Sequence, residues 1–417
     1  SIAYLEAYQL TRKKEYADVA KEIFSYVLRV MQDKEGGFYS AEDADSEGEE
    51  GTFYIWEKDE IIKILGNEIG MLISKVYGFS KTGNFFDEAT GETNGKNIPH
   101  LNKNLQLIAE DLNLPLDSLN QVIQSSREKL FQIRDKRIHP LKDDKILTDW
   151  NGLMIAALAL GGIVLDNDLY LKAAENASKF IFSELQENNG RLLKRFRKGK
   201  AGLPPHIDDY SFMIWGLLNL YEATFNTKYL SNAISFSEIM IEDFIDENGG
   251  FFIGSKNAEK LMVRAKDSYD GAIPSGNSVA VLNFFRIWKI TGNTKWLTIA
   301  NKTLKAFTIQ AKKSPTGFAH MLTGFMFDLK NPKEFVIVLD SKNHNLNQII
   351  KQIRKHYSPN MVVLIKDKSN PSDIEKISPW IAAYDMINNK PTYYICENFS
   401  CKQPTTNLKL ALNYINQ

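Results

Sequence analysis

Three short polar signatures carry the residue types that acid–base chemistry needs: Thr148-Asp149-Trp150-Asn151-Gly152, Asp208-Asp209-Tyr210 and Ser275-Gly276-Asn277. Two carboxyl groups facing one bond, one protonated and one ionised, can cleave or rearrange a glycosidic linkage. Asp149, Asp208 and Asp209 are therefore the catalytic candidates. Trp150 and Tyr210 offer ring faces for a pyranose, Asn151 and Asn277 offer amides for its hydroxyls, and His206 offers an imidazole base near neutral pH. Each also has a structural alternative, since aspartates cap helix starts and aromatic rings pack. A helix N-terminus favours the ionised carboxylate by about 0.3–1 kcal/mol, the wrong direction for an acid. Desolvation can raise a carboxyl by about 3–5 pKa units, so the acid must press against apolar surface. Asp208 is better placed to cap, which leaves Asp209 as the expected acid.

A second acidic feature, Glu42-Asp43-Ala44-Asp45-Ser46-Glu47-Gly48, superficially resembles a calcium loop. Counted from Asp43, position 12 is Tyr54, where such a loop needs a bidentate Glu, so no metal and no cofactor are expected. Asp43 and Asp45 read either as a solvated turn or as part of a pocket rim, near Phe38, Tyr39 and Trp56. Cys396 and Cys401 lack the two-residue spacing of a redox pair and read as structural thiols in a reducing, cytoplasmic setting, with metal binding or redox work as the alternatives. Lys194, Arg195, Arg197, Lys198 and Lys200 form a dense cationic run, either a solvated loop or an anchor for an acidic sugar.

The elements that must position these residues are mostly helical. Residues 153–165 and 212–225 are apolar with few interruptions, as helices buried on all sides should be. The segments that follow them, from Tyr170, from Tyr229 and from Trp296, carry apolar residues only at three- and four-residue steps. Turns at Gly190, Gly250 and Gly317 close the units, so the period is about 60 residues, one helical hairpin plus long loops. All-apolar helices alternating with one-faced helices form an inner ring and an outer ring, an (α/α) toroid; a solenoid is the competing architecture. By the same register, Leu5-Glu6-Ala7-Tyr8 aligns with Leu220-Tyr221-Glu222-Ala223, so the sequence is expected to begin part-way along an inner helix.

Residues 334–339, 361–365 and 392–396 read as strands, with helices over 345–356 and 408–415. The expected domains are a toroid over 1–330 and a small α/β subdomain packed on it over 331–417. Equal numbers of basic and acidic residues, 51 of each, argue against a nucleic-acid partner. No apolar run reaches the roughly 18–20 residues of a membrane helix, which argues against a membrane partner.

With these motifs in view, the chain resembles the YyaL-type, spermatogenesis-associated family. The likeness rests on Gly36-Gly37-Phe38-Tyr39-Ser40-Ala41-Glu42-Asp43-Ala44-Asp45-Ser46-Glu47-Gly48, the three signatures above, and Cys396-Glu397-Asn398-Phe399-Ser400-Cys401. It implies a thioredoxin-like domain joined to an (α/α)6, six-hairpin toroid similar to six-hairpin glycosidases and N-acylglucosamine 2-epimerases. The thioredoxin-like domain is expected to lie outside this sequence. The resemblance implies a pocket for a small-molecule or oligosaccharide substrate. Two functions follow as expectations: a carbohydrate-active hydrolase or epimerase, or a non-catalytic glycan- or protein-binding toroid that supports the thioredoxin-like domain.

Overall fold

The computed structural model describes residues 1–86, 91, 93–259, 262–354 and 357–415. Two compact units form, one of residues 1–40 with 144–417 and the other of residues 41–143. The first opens with helices α1 (Ile2–Thr11) and α2 (Lys14–Tyr26). The second holds α3 (Lys58–Leu65), α4 (Asn67–Val76), α5 (Leu105–Asp111) and α6 (Leu116–Arg134) around its own core, which includes Trp56, Ile61, Ile73, Leu119 and Ile123. Sequence periodicity does not announce this second unit, because its short helices lack the alternation of wholly apolar and one-faced segments. The division anticipated at residue 330/331 lies inside the first unit.

The first unit resumes with seven helices: α7 (Thr148–Val164), α8 (Asp168–Glu184), α9 (Ile207–Thr224), α10 (Thr227–Phe244), α11 (Gly276–Thr291), α12 (Thr294–Lys313) and α13 (Ala319–Leu329). From Asp209 to Tyr221, α9 buries every residue except Trp215. Its partner α10 buries a single stripe, including Tyr229, Leu230, Ala233, Phe236, Met240 and Phe244. That contrast makes α9 inner and α10 outer. Helix α1 packs on α7, α7 on α9, α9 on α11 and α11 on α13, while α2, α8, α10 and α12 each pack on the inner helix before them. The fold is mainly α, of the (α/α) toroid type.

Inner helices meet at backbone contact where glycine permits it. A Cβ on Gly152 would fall 2.5 Å from the Phe212 carbonyl carbon, and one on Gly216 would fall 2.8 Å from the Gly152 oxygen. Any side chain at either position would push α7 and α9 apart.

Downstream, strand Lys333–Leu339 lies between the parallel strand Met361–Asp367 and the antiparallel strand Thr392–Glu397, with Ser400–Cys401 at the edge. The predicted strands stand within two residues of their observed ends. The first of the predicted helices is α14 (Leu346–Ile353), capped by Asn345; its expected end at His356 lies outside the described residues. Two more follow, α15 (Ser372–Ile377) and α16 (Leu408–Ile415). The cysteines correct an expectation: Cys396 and Cys401 are cross-strand partners joined in a disulfide, so neither is a free thiol. Hairpin register brings them together, which sequence spacing alone does not reveal. Among the described residues, no helix is long and apolar enough to cross a membrane.

Candidate functional site

The three signatures occupy the starts of α7, α9 and α11, and their first task is to hold loops. After α2, α8 and α10 the chain closes through the bridges Gln32 to Phe38, Gln186 to Leu192 and Ile245 to Phe251. The next inner helix grips each closure. Asn151 Oδ1 accepts the Phe38 N–H at 2.8 Å, while its Nδ2 donates to the carbonyls of Phe38 and Leu147 at 3.0 and 2.8 Å. Asn277 repeats this on Phe251, accepting at 2.8 Å and donating at 2.9 Å, with a further bond to the Asp267 carbonyl at 2.7 Å. At the same place in α9 the Tyr210 hydroxyl accepts the Leu192 N–H at 3.0 Å.

These contacts revise three expectations. Tyr210 is fully buried against Phe236 and Phe244 and offers no face to a sugar. Asn151 and Asn277 are also buried, with their amides committed to backbone groups. The same hydrogen-bonding capacity that suits a sugar hydroxyl suits a loop peptide.

The carboxylates join neighbouring helix starts. Asp209 accepts the Asp149 N–H of α7 at 3.0 Å through Oδ1 and the His206 N–H at 2.7 Å through Oδ2. Asp208 accepts the Gly276 N–H of α11, and a Cβ on Gly276 would collide with its Oδ1. Asp270 accepts the Ser275 N–H at 3.0 Å and, through its other oxygen, the N–H groups of His320 and Met321 at 2.8 and 3.3 Å at the start of α13. One carboxylate thus links each adjacent pair from α7 to α13. Both aspartates cap helix starts: Asp209 carries two backbone bonds and is fully buried, and Asp208 carries one from Gly276 and is partly accessible. Asp270 is missing from the sequence reading, since nothing near it in the chain signals a partner fifty residues away.

Lys194 is the other residue that sequence reasoning left unassigned. It belongs to the cationic run, yet its Nζ turns inward, 2.7 Å from Asp149 Oδ2 and 3.4 Å from each Asp209 oxygen. Burial opposes its charge, but Asp209 and Asp149 together hold the ammonium above its ordinary value. Complete burial raises the Asp209 carboxyl, as does the Asp149 charge, against the pull of Lys194 and two backbone donors. Asp208, more accessible than Asp209, is pushed up to about 6, first by burial and then by the Asp149 charge. His206 is lowered, first by burial and then by the Lys194 charge.

Trp150, next to Asp149 at the start of α7, is 43% exposed. Asp43 and Asp45 belong to the other unit, exposed at the hairpin Asp45–Ser46 with Glu49–Glu50; Glu47 (φ 56) and Gly48 (φ 82) supply the two left-handed residues of its turn. Clefts of about 330 and 370 Å³ lie elsewhere, near Asp33 and Asn176 and near Lys228 and Asp373, and neither includes Asp149, Asp208 or Asp209.

The chain is 32% identical to human spermatogenesis-associated protein 20 over 434 aligned residues, covering 97% of this chain and 55% of the human protein. The chain is homologous to the spermatogenesis-associated family. The rat member is 31% identical over the same shares, and an uncharacterised Caenorhabditis elegans protein is 28% identical over 96% of this chain and 58% of its own length. The chain spans about half the length of the curated relatives it matches. No family model matches it. Similar solved structures include a family 76 α-mannanase from Bacteroides thetaiotaomicron, with TM-score 0.38, 19% identity and coverage of 52% of this chain and 59% of that one. A D-mannose isomerase aligns with TM-score 0.34 and 13% identity over 73% of this chain and 72% of its own.

Proposed function

We propose that the starts of α7 and α9 bind a carbohydrate and move a proton on it, in a hydrolytic or epimerising reaction. Asp208 carries the proton, Asp149 serves as its ion-paired partner against Lys194, Trp150 stacks on the sugar ring, and His206 serves as a second base. One observation carries this reading: a partly accessible carboxyl with a value near 6 beside an ion-paired carboxylate. A carboxyl raised by burial beside a carboxylate that is paired with an ammonium suits the first as acid and the second as a charged partner. A thioredoxin-like partner domain and a cytoplasmic setting belong to the same proposal.

The test is a panel of mono- and oligosaccharides screened by thermal stabilisation, followed by turnover assays. A ligand at about a hundred times its dissociation constant adds roughly 2.7 kcal/mol. Asp208→Asn and Asp149→Asn should keep binding and lose turnover. Trp150→Ala should weaken binding about tenfold, consistent with about 1.4 kcal/mol from a lost aromatic contact, with stability unchanged within about 0.5 kcal/mol. Unchanged turnover in both Asn variants on every sugar that binds would leave the non-catalytic scaffold. That second reading draws on Asp209, Tyr210, Asn151 and Asn277, whose polar groups already hold backbone.

A further inference from the structure

The C-terminal end of α11 carries a second charged group, unconnected with the carboxylate chain. Lys289 in its last turn and Glu334 in strand Lys333–Leu339 are both fully buried, with Nζ 2.8 Å from Oε1. Burying a charge pair is costly unless further hydrogen bonds complete it. Two neighbouring residues supply them here. Lys289 Nζ also donates to Asn398 Oδ1 at 3.1 Å, and the Phe399 N–H donates to Glu334 Oε2 at 3.3 Å.

Asn398 and Phe399 form the tip between strands Thr392–Glu397 and Ser400–Cys401, and both are left-handed, with φ of 52° and 61°. Asparagine tolerates that region; a bulky residue such as phenylalanine adopts it only when held. Two restraints hold it. The Phe399 ring packs edge-on against Trp288 and Trp380, at 5.9 and 5.2 Å between centroids, and the Cys396–Cys401 disulfide closes the hairpin directly behind the tip. The two residues differ in access, Cys396 being fully buried and Cys401 partly exposed. The Tyr384 hydroxyl lies 2.8 Å from Cys401 Sγ and 3.7 Å from Cys396 Sγ.

We propose that Cys396–Cys401 is a redox latch, opened by a dithiol, whose state decides whether Asn398 and Phe399 complete the buried Lys289–Glu334 pair. A thiolate of the dithiol attacks the accessible Cys401 Sγ, forming a mixed disulfide and breaking the Cys396–Cys401 bond. Cys396 leaves as a thiolate and takes a proton from solvent. The second thiol of the reductant, once deprotonated, attacks its own sulfur in the mixed disulfide and releases the Cys401 thiolate, which the Tyr384 hydroxyl is placed to receive by hydrogen bond before it too is protonated. Two electrons pass to the protein, the dithiol becomes a disulfide, and the protein gains two thiols. With the closure gone, the left-handed tip relaxes and the buried pair loses two of its partners.

The experiment compares the full chain oxidised and reduced with dithiothreitol, as wild type and as Asn398→Ala, by thermal melting and tryptophan emission. Reduction should lower the wild-type melting temperature by about 5 °C and red-shift the emission of Trp288. Asn398→Ala should lower the oxidised protein by a similar amount and at least halve the effect of reduction. An equal cost of Asn398→Ala in both redox states would make the disulfide a local staple and overturn the latch; so would a melting temperature that ignores reduction. Trapping with glutathione and iodoacetamide tests the order of attack: glutathione is expected on Cys401 and the alkyl group on Cys396, and the reverse pattern overturns that step. Wild-type protein serves throughout, so the outcome does not depend on cysteine variants folding.

Discussion

The start of α9 and the end of α11 both bury charge, yet with different stoichiometry. At the end of α11 one ammonium meets one carboxylate, both fully excluded from water. Where α7 and α9 begin, two carboxylates, Asp149 and Asp209, pair with the ammonium of Lys194, which retains 19% of its side-chain exposure, and a third, Asp208, stands near them without an ion pair to it. This matched pair ties α11 to strand Lys333–Leu339. In this cluster both Asp209 and Asp208 are raised, first by burial and then by the Asp149 charge, and the more accessible of the two, Asp208, is pushed up to about 6. The two regions thus differ in charge balance and in access to solvent together: Asp208 is partly accessible, whereas Lys289 and Glu334 are fully buried.

The largest expected effect comes from breaking the balanced pair. Glu334→Gln leaves Lys289 buried without its counter-charge and should cost about 3–5 kcal/mol in chemical denaturation.

The unbalanced cluster should respond in the opposite sense. Because Asp208 rises from an ordinary 3.8 to about 6, the folded state holds its proton more tightly than the unfolded chain. The stability this provides is complete below about pH 4 and is lost as pH rises through 6. Wild type should therefore lose up to about 3 kcal/mol relative to Asp208→Asn between pH 4 and 7. A flat difference between the two proteins across that range would remove Asp208 from the cluster's proton chemistry.

The smallest effect belongs to the neutral clamps at the starts of α7 and α11. Asn277→Ala and Asn151→Ala each leave a buried peptide N–H without its acceptor, at a cost of about 1–3 kcal/mol. Neither change should alter the pH dependence set by Asp208, and a shift there would tie the clamps to the charged cluster.

Much of this architecture is legible in the chain. The wholly apolar stretches become α7 and α9, the one-faced stretches become α8, α10 and α12, and the C-terminal strands appear within two residues of their expected ends. The site is only partly legible. Asp149, Asp208, Asp209 and His206 do meet, because each sits at or beside the start of an inner helix. Tyr210, Asn151 and Asn277 were expected to face a ligand, although their chemistry serves a loop peptide equally well. Lys194 was hidden in a run of cations that reads as solvent-facing, and Asp270 had no local sign at all. The cysteines were misread because their pairing depends on the register of a hairpin.

Sequence by itself determined which helices are enclosed and where each begins, since apolar periodicity and turn residues act over a few positions. Tertiary structure alone decided which polar group answers which backbone amide. Asp209 reaches Asp149 across 60 positions and Asn151 reaches Phe38 across 113, and contacts over such separations exist only once the helices have packed.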